Sequence, residues 1–132
     1  MLLSAPACAK FQTARECGSF VAAIRDWKGQ AAPAASVRVT SPDMASRESR
    51  TLAERYDDLA IRIDALRVSS SELLPRAQRY QRLAREAAKA LRDVAEAVES
   101  GDAEGARRRR VEFDDIARGE APLVAEINAV CR

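Results

Sequence analysis

Between Leu73 and Val98 the apolar residues fall at Leu73, Ala77, Tyr80, Ala84, Ala87, Leu91, Val94 and Val98, in alternating steps of four and three. That spacing predicts a helix that lays one narrow seam against partner helices. About 26 residues at ~1.5 Å each make a rod of roughly 40 Å, too long for one short neighbour to bury. The rest of the chain is therefore expected to assemble around it.

The same register runs through Leu52, Tyr56, Leu59, Ile63 and Leu66, which predicts a second helix from Ser41 to about Val68. Ser41-Pro42-Asp43 marks its start: a hydroxyl cap, a proline where no N–H is needed, and an acid at the positive end of the helix. Ser69-Ser70-Ser71 ends it, and Pro75 falls in the first turn of the rod. So short a joint makes the two helices antiparallel neighbours. Upstream, Phe11, Ala14, Cys17, Phe20, Val21, Ile24 and Trp27 form another helical stripe. They predict a first helix over Lys10–Trp27, shorter than the rod, bringing most of the aromatic bulk to its Ala-rich seam.

Lys28–Thr40 reads as one long connection. Gly29 and Pro33 oppose a helix there, and Val37 and Val39 suit a brief extended pairing. After the rod, Glu99-Ser100-Gly101-Asp102 is a helix stop followed by a new cap. The fourth helix carries Ala106, Val111, Phe113, Ile116, Ala117, Val124, Ile127 and Val130. Gly119 and Pro122 predict a kink or short break near Arg118–Ala121. The expected fold is all-α, an antiparallel up-down-up-down four-helix bundle with one long connection between its first two helices.

Composition agrees with that class. Aromatics make up only 5% of the 132 residues, and abundant alanine favours helices that approach closely. The length suits a single domain, expected over 10–132, with residues 1–9 set apart as a residual signal or lipoprotein segment. The formal charge of +2, from 22 basic and 20 acidic residues, gives no strong field toward nucleic acid or membrane. No apolar run reaches 18 residues, so no membrane span is expected.

The N-terminus points toward export. Ala5-Pro6-Ala7 and Ala7-Cys8-Ala9 fit the small-x-small pattern that precedes a signal-peptidase cut, although Met1–Leu3 is too short a stub of an apolar region. Cys8 is a candidate for lipidation, the only route by which a membrane association is expected. Setting Cys8 aside leaves Cys17 and Cys131 as one pair. Topology makes that pair specific. In an up-down-up-down bundle the first helix starts and the fourth ends at the same end of the rod, which brings Cys17 and Cys131 within bridging reach. The expected location is the periplasm, the cell surface or the medium, with the cytoplasm as the alternative.

Two sets of arginines stand out. Arg107, Arg108, Arg109 and Arg110 could contact phosphate or an anionic surface. However, Glu104, Glu112 and Asp114 lie four residues away from members of the run, which suits a salt-bridged, solvated helix face. Arg76, Arg79, Arg82 and Arg85 form a stripe on the first half of the rod, against the macrodipole. Asp57, Asp58 and Asp64 of the second helix and Asp114, Asp115 and Glu120 of the fourth are the expected cross-helix partners. Both sets remain candidates for an interaction surface.

Catalysis finds little footing. The chain has no His, its serines sit at helix starts, and neighbouring acids such as Asp57-Asp58 point about 100° apart on a helix. No CxxC or His spacing holds zinc, and no cofactor is expected. The leading expectation is a non-enzymatic interaction or structural module whose partner is another protein. A bundle that senses or carries a small ligand between its helices is the alternative. Nucleic-acid binding through the arginines comes third and is not expected.

Overall fold

A computed structural model describes the backbone of residues 5–35 and 41–132, and the side chains of 8–30 and 41–132. The described residues form five helices: α1 (Ala5–Ala35), α2 (Pro42–Ala65), α3 (Leu74–Glu99), α4 (Ala103–Arg118) and α5 (Glu120–Val130). The seam read in the rod is the core of α3, with Ala77, Tyr80, Ala84, Ala87, Leu91 and Val94 all buried. Ala88 and Ala95 widen it to a second row, because α2 packs on one side of α3 and α4 with α5 on the other. Small residues line the α2 side too: Ser46, Ser49, Ala53 and Ala60 are buried. Closeness here depends on those small side chains, so a large residue in their place would force the helices apart.

Polar pairs fix the directions. Arg50 meets Glu99 through two bonds of 2.8 Å, Arg92 meets Asp57 at 2.6 Å, and the Gln81 amide donates to the Ala60 carbonyl at 3.1 Å. These rungs make α2 and α3 antiparallel. Arg79 on α3 meets Glu126 on α5 at 2.6 Å, which turns the last helices back along the rod. On α1, the Trp27 indole donates to the Arg55 carbonyl at 2.7 Å, while the Glu16 carboxylate accepts from the N–H groups of Ser69 and Ser70 at 2.9 Å each. Phe20 stands edge-on to Tyr80 with ring centroids 5.9 Å apart. The helices therefore alternate up, down, up and down. Cys17 and Cys131 are joined in a disulfide with Cα atoms 5.6 Å apart, as that order requires.

The caps fall where short-range chemistry places them. Ser41 accepts from the Met44 N–H at 3.2 Å and Asp102 from the Gly105 N–H at 2.8 Å. Gly101, at φ 74°, makes the left-handed turn that ends α3. The expected interruption of the last helix is a short break at the single residue Gly119. α4 stops at Arg118, Gly119 caps it, and Pro122 lies in the first turn of α5, where its missing N–H has no intrahelical role. α2 ends at Ala65, three residues before Val68, and Arg67 takes a left-handed φ of 51° at the corner.

The first helix differs from expectation in both length and burial. Residues 5–9 and 28–35 are continuous with it, so it is longer than α3, and most of the expected Lys28–Thr40 connection is helical. The alanines at 31, 32, 34 and 35 outweigh Gly29 and Pro33, the latter falling in the last turn. The extended pairing expected at Val37 and Val39 lies outside the described residues. Only Cys17, Phe20 and Trp27 of the expected stripe are buried, with Ile24 partly so. Val21 and Ala14 face outward, and Phe11 is 76% exposed. The physical reason is that α1 meets the bundle along one narrow line. Cys17 is level with the end of α5, and Phe11 lies roughly 9 Å further out, past that end.

Candidate functional site

The four-arginine run is exposed along α4, and most of its charge is neutralised on the same helix. Arg107 pairs with Glu104, Arg109 with Glu112 at 3.0 Å and Arg110 with Asp114 at 3.6 Å. The Arg110 guanidinium also lies 5.6 Å from the centre of the Phe113 ring. Two of the three pairs are spaced by three residues, where the sequence pattern favoured four. Arg108 is left without an ion pair among the described residues.

The stripe on α3 is not matched as expected. Among the described residues, only Arg79 of the stripe reaches across, to Glu126. Arg76 donates to the Glu72 carbonyl at 2.6 Å, and its Nε is buried without a partner. Arg82 and Arg85 form no ion pair among the described residues. Five of the six acids expected to face the stripe are engaged elsewhere, Asp57 with Arg92, Asp58 with Arg62, Asp114 with Arg110, Asp115 with Arg118 and Glu120 with Lys28, and Asp64 forms no ion pair among the described residues. Adjacent aspartates thus turn to different cations, as their divergence on a helix dictates. Among the described residues no three or more His, Cys, Asp or Glu side chains gather into a metal-binding group.

A concave apolar site lies elsewhere, at the seam between α1 and α5. Phe20, Val21 and Ile24 form one wall, Val124 and Ile127 the other, and Tyr80 of α3 the floor. The hollow measures about 280 Å³, with Arg25 and Lys28 on the α1 rim and Asn128 on the α5 rim. It exists because α1 packs closely on α2, meets α3 through the Phe20 and Tyr80 rings, and among the described residues is joined to the end of the chain by the Cys17–Cys131 bond and one ion pair. That pair is Lys28 with Glu120, at 3.1 Å. Glu120 also accepts the Tyr80 hydroxyl. Burial, reinforced by the bond to Glu120 and its charge, pushes the Tyr80 hydroxyl far above the ordinary tyrosine range, so it stays protonated.

A larger hollow of about 470 Å³ lies between α3 and α4, but Glu86, Lys89, Arg108, Glu112 and Asp115 line it with mixed charge. Cys8, a free thiol, is exposed on the outer turns of α1. Among the described residues no helix is long and apolar enough to cross a membrane.

Sequence periodicity missed the α1–α5 seam. Its clearest signal was Val21, which the helical stripe absorbed as a core residue although it starts a second row with Ile24, Arg25 and Lys28. No family model, no curated protein and no solved structure matches this chain.

Proposed function

We propose that this protein is a non-enzymatic, exported helical module that binds a small apolar ligand between α1 and α5. The observation that carries this reading is the groove: an apolar hollow of about 280 Å³ with its polar groups confined to the rim and to one closed network at the floor. Hollows between the helices of a bundle, apolar with a few polar groups, are common binding sites. The competing reading, contact with a protein through charged helix faces, has weaker support, because Arg107, Arg109 and Arg110 are already paired on their own helix. One feature does favour a protein contact. Phe11 is a large aromatic residue exposed to water past the end of α5, the type of side chain that anchors interfaces.

Export is supported by the Cys17–Cys131 bond, since such bonds persist in oxidising compartments. The periplasm, the cell surface and the medium all satisfy it. Cys8 is placed so that a lipid there would tether α1 by its outer end without disturbing the core.

Nile red, a neutral dye that brightens in apolar sites, tests the groove directly. Saturable enhancement at one site per chain is expected. Val124→Trp, which fills the hollow, should abolish it while leaving the circular dichroism spectrum unchanged. Enhancement that survives in a folded Val124→Trp protein, or none in the parent, would count against the reading.

A further inference from the structure

The chemistry around the α1–α5 groove specifies an occupant, granted the reading of that groove as a ligand site. Its long axis follows the helices. Phe20 and Asn128 lie toward the disulfide end, Ile24 and Val124 in the middle, and Lys28 with Glu120 at the other end. From Phe20 to Lys28 is eight residues of α1, or roughly 12 Å. The hollow is therefore long and narrow, near the small end of the roughly 300–1,000 Å³ usual for small-molecule sites. An extended aliphatic chain of medium length fits that shape, and a fused ring system does not.

The polar groups choose the head. The floor offers none, since the Tyr80 hydroxyl is already donated to Glu120. Lys28 and Glu120 oppose one another at 3.1 Å. Arg25, one turn before Lys28 on the same rim, has no ion pair or hydrogen bond among the described residues. The α1 rim thus carries one unneutralised guanidinium a turn inside the Lys28 end of the groove, which matches a singly charged carboxylate in the two-pronged geometry arginine favours. We propose that the groove takes a medium-chain aliphatic carboxylate, with its chain along Phe20, Ile24, Val124 and Ile127 and its head at Arg25.

Titration of the full-length, disulfide-bonded protein with decanoate, decanol and decylamine tests this, followed by calorimetry and by the methyl NMR signals of Val21, Ile24, Val124 and Ile127. Decanoate should bind most tightly and decylamine least, with shifts confined to those methyl groups. Arg25→Gln lies on the surface and should weaken decanoate roughly three- to fivefold, the size of a partly exposed ion pair, without changing decanol. Val124→Trp should remove all three. Equal binding of the three probes, or an Arg25→Gln effect shared by decanol, would overturn the carboxylate assignment while leaving an apolar groove. Shifts scattered over the molecule, or methyl shifts that depend on protein concentration because a second copy covers the groove, would overturn it as well. If neither Nile red nor any of the three probes binds, the groove reading falls with it.

Discussion

Glu16 ties the first helix to a corner of the chain 53 residues away. Its carboxylate accepts the backbone N–H of Ser69 and of Ser70 and the Ser69 hydroxyl, each at 2.9 Å, with the Gln12 amide also donating. Burial pushes this carboxyl up, but the backbone donors of Ser69 and Ser70, with the Ser69 hydroxyl and the Gln12 amide, outweigh it and hold the group below its ordinary value of 4.5. A depressed carboxyl stabilises the fold above that ordinary value, and the contribution is lost as the pH falls through the lower value of the folded state. Glu16→Ala is expected to cost about 1 kcal/mol at pH 7, the worth of charge-assisted bonds discounted for solvent exposure. Urea melts at pH 7 and pH 3 should show that cost shrinking in acid. A difference that stays the same at both values would mean the carboxylate charge is not what matters. Nothing in the sequence joined Glu16 to Ser69, because the contact is made by tertiary packing alone. Ser41 and Asp102 were legible as caps because their bonds close within three residues.

At the level of elements, α2 and α3 were legible to within a few residues from an unbroken four-three register bounded by local stop signals, and α4, whose apolar steps are irregular, from the Gly101-Asp102 stop and cap at its start and Gly119 and Pro122 at its end. The break between α4 and α5 was legible for the same reason, since a proline inside a helix costs about 3 kcal/mol and the chain avoids that by starting afresh at Glu120. Hydrogen exchange should therefore find the amides of Gly119–Ala121 opening more readily than those of Val111–Ile116. Equal protection across both stretches would show that the break is energetically silent. α1 was read too short because Gly29 and Pro33 were weighed as stops, whereas a run of alanines carries the helix past both. The partners of the arginines were misassigned for a different reason. Rotamers decide between a neighbour three residues away, one four residues away and one across the helix, and periodicity holds no information on that choice. The groove was hidden for a third reason: it belongs to the line where the first and last helices meet, and neither helix announces it alone.

Taken whole, the molecule is a tight body of α2, α3, α4 and α5 with α1 laid along it. The buried line of α1 is thin, so the bond between Cys17 and Cys131 carries much of its attachment. Closing a loop across a separation of 114 residues is worth about 4–5 kcal/mol in the chain-entropy model. Reductant should lower the melting temperature. In a Cys17→Ser, Cys131→Ser protein the amides of α1 should lose protection and Trp27 emission should shift to the red, with α3 still protected. Simultaneous loss of protection in α1 and α3 would show that the two are one cooperative unit. The same bond also decides where a mechanical load travels. Of the described residues, only 5–16 and Arg132 lie outside the covalent ring that it closes. Tension applied between Cys8 and Arg132 would pass from α1 through the two sulfurs to the C-terminus, and the helices between them would bear none of it.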